Sequence, residues 1–326
     1  MKAFVTGGAG FIGSHTVTAL LEAGHEVIVW DDLSTGKLAN LDDVRDDITF
    51  ILGDTRDFDG LRAAIRTTEP SAILHLAAIA SVLRSVEDPR LTHGVNLTST
   101  VNVLEAARLE GVDRVALACS AAIYGNEPLV PKSELMPAGP ASPYGLEKWQ
   151  SEEYAAMFST LYGMTTVSLR YFNVFGPRQD PKSPYSGVIS IFLDRLLSGQ
   201  PLRIDGSGKQ TRDFVYVADV AAANLRALTA PLDGHQRFNI ARGGETSILE
   251  LYELLCDRVG RWPEPTFGPP RAGDVFRSYA DVSQAADVLG FTARHTVGDG
   301  IERLVEWYRA ADGAGAAPIG AAARRG

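Results

Sequence analysis

The stretch "SPYGLEKW" places Tyr144 and Lys148 one helical turn apart, on the same face of a helix. A free tyrosine ionises near about pH 10, but a cation within ~4–6 Å favours the phenolate, which would make Tyr144 a base near neutral pH. The pair does not decide the matter alone. With ten tyrosines and six lysines, this spacing arises by chance in roughly one such chain in five, and an ordinary surface helix accommodates it equally well.

A second feature sits at the end of the apolar run "RVALAC", where "SAAIYG" supplies Ser120 and, four residues on, Tyr124. Between them lie Ala121, Ala122 and Ile123, none of which can exchange a proton. Chemistry centred on Ser120 therefore proceeds without an acid in that gap.

The third feature is "VTGGAGFIG". It puts Gly7, Gly10 and Gly13 between a short apolar strand and a helix, where the turn must be tight and a pyrophosphate must approach the helix N-terminus. A glycine triplet alone is weak evidence, and a plain loop is its alternative. About ~20 residues further on, the second strand ends in Asp31 and Asp32, where a carboxylate can accept hydrogen bonds from a ribose diol. Together they predict a dinucleotide site, and acids that repel a 2′-phosphate favour NAD over NADP. By contrast "GSGKQT" lacks the five-residue glycine spacing and the hydroxyl after Lys209, so it reads as a turn before the strand "DFVYV". Asp219 is expected to cap the helix that follows.

These residues need a scaffold, and the first half of the chain supplies one by alternating strands with helices. "KAFVTG", "HEVIVWDD", "SAILHLAA", "RVALACS" and "TTVSLRYFNVFG" read as buried strands. "GSHTVTALLEAG", "NLTSTVNVLEAARLEG" and "PYGLEKWQSEEYAAMFSTLYG" read as the helices between them. The rhythm predicts a doubly wound α/β fold, a parallel sheet with helices on both faces. After about residue 175, Pro- and Gly-rich loops separate shorter elements such as "GVISIFLDRLLSG" and "SILELYELLCDRVG", which suggests a smaller lid domain.

Composition closes off other classes. The 326 residues are 45% apolar and 22% charged, an ordinary globular balance, and can bury a large core. Forty acidic against 31 basic residues give a formal charge of −9, so nothing favours a nucleic-acid or membrane surface, and an anionic ligand must be held by local arginines. Cys119 and Cys256 are too few for a disulfide scaffold or a cysteine-based metal site, and the six histidines show no ligand spacing; no metal is expected. Glycines break the apolar N-terminal stretch and no export signal or spanning segment is read, which points to a reducing cytoplasm. The Gly-rich end, residues 311–326, is expected to be a disordered tail.

In order along the chain, "TGGAGFIGSH", "DDLSTG", "HLAA", "SAAIYG", "SPYGLEK", "RYFNVFGPRQDP", "QTRDFVYVADV" and "RAGDVFRSYAD" resemble the extended short-chain dehydrogenase/reductase superfamily, specifically its NAD-dependent nucleotide-sugar epimerases. The resemblance covers about residues 1 to 310. It implies a modified Rossmann NAD-binding domain of residues 1–170, rejoined by about 211–240, and a smaller C-terminal α/β substrate domain from the remainder of 171–310. It further implies a homodimer on the helices around 97–110 and 144–162, whose Leu104, Ala107, Trp149, Ala155 and Phe158 suggest more than one apolar side.

Carried over by position, the resemblance implies Ser120, Tyr144 and Lys148 as the catalytic set. Tyr144 would take the proton of the sugar 4-hydroxyl as C4 gives hydride to NAD, Lys148 would hold the nicotinamide ribose, and Ser120 would hydrogen-bond the same hydroxyl. A transient 4-ketose would turn over before enzyme-bound NADH returns the hydride to its other face. Gly7, Gly10, Phe11, Ile12, Gly13, Asp31, Asp32, Ser34, Thr35, Gly36, Asp54, Leu76, Ala77, Ala78, Asn96 and Phe172 would contact the cofactor. Asn173, Val188, Arg212, Arg271, Asp274 and Ser278 would contact a UDP-sugar, the arginines gripping its diphosphate. Ser278, seven residues after Arg271, stands where members restricted to glucose and galactose tend to carry tyrosine and those accepting N-acetyl sugars a small residue. Related dehydratases and decarboxylases carry acids just after the serine or threonine; here those places are Ala121 and Ala122. The expected activity is 4-epimerisation of UDP-glucose and UDP-galactose, with the N-acetylglucosamine pair admitted by Ser278. The alternatives are a UDP-uronate epimerase, decarboxylase or dehydrogenase, and a non-catalytic NAD-binding sensor, which would have no need of the three catalytic residues together.

Overall fold

A computed structural model describes residues 1–180, 187–270 and 275–312. The first half runs β1 (Lys2–Thr6), α1 (Phe11–Glu22), β2 (Glu26–Asp31), β3 (Ile48–Leu52), α2 (Phe58–Thr68), β4 (Ala72–His75), α3 (Val82–Glu87), α4 (Pro89–His93), α5 (Ser99–Leu109), β5 (Arg114–Ser120), α6 (Pro143–Tyr162) and β6 (Thr165–Tyr171). Then follow β7 (Asn173–Phe175), α7 (Val188–Ser198), β8 (Arg203–Asp205), β9 (Thr211–Arg212), β10 (Phe214–Tyr216), α8 (Val217–Thr229), β11 (His235–Ile240), β12 (Thr246–Ser247), α9 (Ile248–Val259), β13 (Thr266–Gly268), β14 (Arg277–Ser278) and α10 (Val297–Asp312).

Seven strands form one parallel sheet in the order β3-β2-β1-β4-β5-β6-β11. Its strands are apolar on both faces because helices cover both. Ala3, Val5, Val27, Val29 and Leu74 pack with α1 and α8, while Phe4, Ile28, Ile73, Val115 and Leu117 pack with α2, α5 and α6. Both α8 and β11 come from beyond residue 210, so the chain returns to complete the sheet and its cover. A second core, built from α7, α9, α10 and the strands β7 and β10, holds Phe192, Leu193, Leu251, Leu255, Ile301 and Leu304.

The helix that carries Tyr144 and Lys148 is sharply delimited. Ser142 caps it by accepting from the Gly145 N–H at 3.1 Å, Pro143 occupies its first turn, and Gly163 closes it in the left-handed conformation at φ 72°. "GSGKQT" is the turn between β8 and β9.

Three expectations need correction. Asp219 is not a helix cap: β10 is so short that α8 begins at Val217 with Tyr216 as cap, leaving Asp219 buried inside the first turn. Its carboxylate accepts from the backbone N–H groups of Arg294 and His295, both at 3.1 Å, and from His295 Nδ1 at 2.9 Å, fastening a distant loop. Second, Leu104, Ala107, Ala155 and Phe158 are buried in the chain's own core with Trp149 packed against them, so they present no second apolar surface. The apolar side chains left exposed on these helices are Leu109 of α5 and Leu146, Tyr154, Met157, Leu161 and Tyr162 of α6. Third, α10 continues to Asp312, two residues into the expected tail; residues 313–326 lie outside the described residues.

Candidate active site

At the carboxyl ends of β1, β2, β4 and β5 the sheet forms the crevice where doubly wound folds bind ligands. Gly7 turns the chain with φ 71°, and a Cβ there would stand 2.7 Å from the Ala77 nitrogen. A Cβ on Gly13 would stand 2.1 Å from the Gly7 carbonyl oxygen. The cap of α1 is Gly10, with no side-chain cap and no acid in the first turn, so the N-terminal N–H groups of the helix face the crevice without a competing carboxylate. Phe11 and Ile12 follow directly. These features fit a dinucleotide diphosphate.

Asp31 ends β2, buried, with its carboxylate accepting from the N–H of Ala9 at 2.9 Å and of Leu33 at 2.8 Å. Burial pushes its pKa up against those hydrogen bonds, and the acid ties the glycine turn to the second strand. Asp32 is exposed and accepts from the N–H and hydroxyl of Ser34, at 2.9 and 2.6 Å; Thr35 and Gly36 continue this loop over Asp31. Asp54, after β3, is bound to the Arg56 guanidinium. Leu76, Ala77 and Ala78 follow β4, with Ala77 N–H bonded to Thr6 Oγ1 at 3.2 Å. Asn96 lies in a wide π turn at Gly94–Thr98, its side chain bonded to both backbone groups of Ile79.

Ser120 closes β5 and caps the short turn Ala121–Tyr124, its Oγ accepting from Ala122 N–H at 3.1 Å. Beside it, the Tyr144 phenol is pushed up to about 12 by burial, with the Ser120 hydroxyl pulling the other way. Lys148 is buried, its pKa lowered by desolvation, and donates to the Ala118 carbonyl at 2.9 Å. The ionised form of the Tyr144 phenol, with a hydroxyl beside it and a cation on the same helix, can take one proton from an alcohol and return it.

A cleft of about 460 Å³ opens at Ser120 and Tyr144 toward the second core; Lys148 is not in its lining. Of the expected residues it brings together Phe11, Ile12, Ser120, Tyr144, Phe172, Asn173, Val188 and Arg212. Asn173 is fixed by donating to the Asp213 carbonyl at 3.1 Å, and Arg212 donates to the Thr211 carbonyl at 2.6 Å. Ser278 does not line this cleft; it pairs in register with Arg212 across β14 and β9. Arg271 and Asp274 lie outside the described residues.

The cleft also exposes residues that the sequence did not single out: Tyr171, Gln179, Phe192, Arg203, Asp205 and Gln210. Gln179, within "GPRQDP", accepts from the Ser190 hydroxyl at 2.7 Å, which anchors the loop to α7. Asp205 is the one carboxylate among the described residues lining the cleft, and it is paired with Arg203 at 2.9 Å on β8.

Fold, glycine turn and Ser120–Tyr144–Lys148 set define a nucleotide-dependent redox site on a doubly wound sheet. The chain belongs to the NAD dependent epimerase/dehydratase family, whose match spans residues 3–241. It is 44% identical over 312 residues to a UDP-glucose 4-epimerase of Mycolicibacterium smegmatis, covering 95% of this chain and 99% of that one. The structure of a UDP-glucose 4-epimerase of Thermotoga maritima with UDP-glucose superimposes with a TM-score of 0.91 at 38% identity, covering 95% of this chain and 99% of that one. The UDP-glucose 4-epimerase of Thermus thermophilus in complex with NAD does so with a TM-score of 0.88 at 40% identity, covering 95% and 100%.

Proposed function

We propose that this protein catalyses the reversible 4-epimerisation of a UDP-hexose, interconverting UDP-glucose and UDP-galactose through a 4-ketose. The observation that carries this reading is Ser120 and Tyr144 lining one cleft, with alanines at 121 and 122 after the serine, and the one described carboxylate of that cleft engaged by Arg203. Oxidation at C4 needs a base and an electron acceptor. Elimination or decarboxylation would need a further acid or base at the sugar, and Ala121 and Ala122 supply none.

Gly7, Gly10, Phe11, Ile12 and Gly13 would hold the diphosphate of NAD, with Asp31, Asp32 and the Ser34–Gly36 loop at its adenosine end and Leu76–Ala78, Asn96 and Phe172 toward its nicotinamide. When bound, NAD supplies reversible two-electron oxidation. Tyr144 takes the O4 proton and returns it, Ser120 holds the O4 hydrogen bond throughout, and Lys148 places a cation behind the phenol. Arg212 grips the diphosphate with a planar fork, so the nucleotide stays while the ketose turns over. Residues 1–170 with 211–240 form the cofactor unit and the remainder of 171–310 the substrate unit. The exposed stripe of α6, with Leu109, is the face of a homodimer. The two buried free cysteines suit a cytoplasmic setting.

The test is chromatography of UDP-galactose incubated with the purified protein and no added NAD. UDP-glucose is the expected product, and released nicotinamide should be found on denaturation. Conversion only of UDP-galacturonate, loss of carbon dioxide, or strict consumption of added NAD would replace this reading by one of its relatives.

A further inference from the structure

Between Tyr144 and Lys148 stands Glu147, a carboxylate with almost no access to solvent. Its two oxygens are each taken by a neutral donor: Oε1 accepts from the Thr92 hydroxyl at 2.9 Å and Oε2 from the Asn96 amide at 2.7 Å. Asn96 in turn closes on the backbone of Ile79, accepting its N–H at 2.8 Å and donating to its carbonyl at 3.2 Å. The next residue, Ala80, lines the cleft with Ser120 and Tyr144. A chain of hydrogen bonds therefore runs from the helix that carries the phenol to the segment after β4. Side chains this deeply buried, joined by satisfied hydrogen bonds, have few alternative arrangements.

We propose that Glu147 is a positioning residue: through Asn96 it holds the Ile79–Ala80 turn at a fixed distance from Tyr144. It does not line the cleft. Resting on the epimerase reading, the inference adds that the distance between the phenol and the nicotinamide-side turn is set by this carboxylate rather than by the turn itself. The π turn contributes by placing Asn96 where it can reach both partners, whereas a regular helix would rotate it away.

The experiment compares Glu147→Ala with Glu147→Gln in the full chain. A glutamine can keep both contacts, its carbonyl accepting from Asn96 and its amide donating to a Thr92 hydroxyl that turns toward the Pro89 carbonyl, 3.4 Å away. Alanine keeps neither. Misplacing a reacting group by about 1 Å costs on the order of 10² in rate, so Glu147→Ala should lower kcat by that order while leaving KM for UDP-galactose within about twofold; Glu147→Gln should restore most of kcat. Hydrogen exchange at the Ile79 amide should quicken by an order of magnitude or more in the alanine variant and stay near the parent rate in the glutamine variant. Wild-type kcat in Glu147→Ala, a matching rise in KM, or equal damage by both substitutions overturns the proposal. If the parent protein does not epimerise UDP-galactose, the functional reading fails, and exchange at Ile79 alone decides the clamp: unchanged exchange in Glu147→Ala refutes it. Where the alanine variant does not fold, Glu147→Asp, one methylene short of Asn96, must show the same kcat loss and faster exchange, and parent values in that variant refute the clamp equally.

Discussion

The Lys148 ammonium lies 6.0 Å from the centroid of the Tyr144 ring and donates its hydrogen bond to the Ala118 carbonyl rather than to the phenol. The lysine thus faces the ring without bonding the phenol, while burial holds the phenol protonated up to about 12 and Ser120 pulls the other way. Because the base is the deprotonated form, kcat should rise with pH through neutrality; a profile falling from pH 6 to 9 would contradict the assignment. Tyr144→Phe keeps the ring and removes the proton acceptor. Its turnover should drop by the ~10²–10⁴ typical of a lost general base, with UDP-sugar binding intact by calorimetry. Near-parental turnover would return Tyr144 to an ordinary helix position.

Acid stability follows from three histidines kept neutral by burial. His15 hydrogen-bonds the Pro177 carbonyl at 2.9 Å, His75 the Thr6 hydroxyl at 2.8 Å and His235 the Thr166 hydroxyl at 2.8 Å. Desolvation lowers their pKa values from 6.5 to about 4, about 3 and about 4. Each binds its proton more tightly in the unfolded chain, so the stability it contributes is full above pH 6.5 and is lost as pH falls toward 4. Asp31 and Asp213, with pKa values raised by burial, act with the opposite sign between their raised folded values and the unfolded value of 3.8, so they partly offset the histidine loss at the acid end of the window. Thermal midpoints should be level above pH 7 and decline between 6.5 and 4.5; a flat response across that window contradicts the neutral assignment.

The sheet was legible because its central strands are buried on both faces, and a strand such as "KAFVT" then has no polar face to blur its ends. The glycine turn was legible because Gly7 and Gly13 stand where any Cβ meets backbone. Contacts that depend on distant segments were not. Nothing local marks Asp219 as the anchor of residues 294–295, and its place near a helix start invites the capping reading. Glu147 looks like a solvated helix charge until Thr92 and Asn96 arrive from another element. Leu104 and Phe158 suggested an exposed second face only because the sheet and α2, which cover them, are invisible in the helix sequence.

Gly13 allows a sharp test of the cofactor turn. Gly13→Ala drives a methyl group to within 2.1 Å of the Gly7 carbonyl oxygen, so β1 and α1 must separate. Nicotinamide recovered from the denatured variant should fall at least about tenfold, since each ~1.4 kcal/mol of lost binding is a factor of ten. Gly298→Ala, whose nearest neighbour would be the Thr296 hydroxyl at 3.7 Å, serves as control and should retain parental nicotinamide. Full nicotinamide content in Gly13→Ala would remove the diphosphate from this turn.

Ser278 tests which sugars are accepted. It pairs with Arg212 in register, so a larger side chain there would intrude beside the arginine expected to hold the diphosphate. The family resemblance puts position 278 near the sugar although Ser278 does not line the cleft; on that placement a serine would leave about the room of an aromatic ring for a 2-acetamido group, and the parent should interconvert the UDP-N-acetylhexosamines as well as the unsubstituted pair. Ser278→Tyr should suppress N-acetyl turnover far more than glucose turnover, because overpacking penalises the larger ligand. Equal effects on both substrates, or no N-acetyl turnover in the parent, would sink the idea.

Assembly is the last test. Leu146, Tyr154, Met157 and Leu161 recur along α6 at helical spacing and remain exposed, Met157 at 55% and Leu161 at 63%. The opposite face of the same helix packs Glu147, Lys148, Glu152, Ala155 and Phe158 into the chain's own core, so the exposed apolar stripe is a second surface left to cover. A second copy of the chain, bringing the same stripe by two-fold symmetry, would cover it. Light scattering at micromolar concentration should give twice the 35.0 kDa chain mass. Met157→Glu with Leu161→Glu would place charges in an apolar seam and should yield monomers, while either residue in a solvent-facing role would tolerate the change. A monomeric parent, or a dimer unaffected by the double substitution, would move the interface elsewhere.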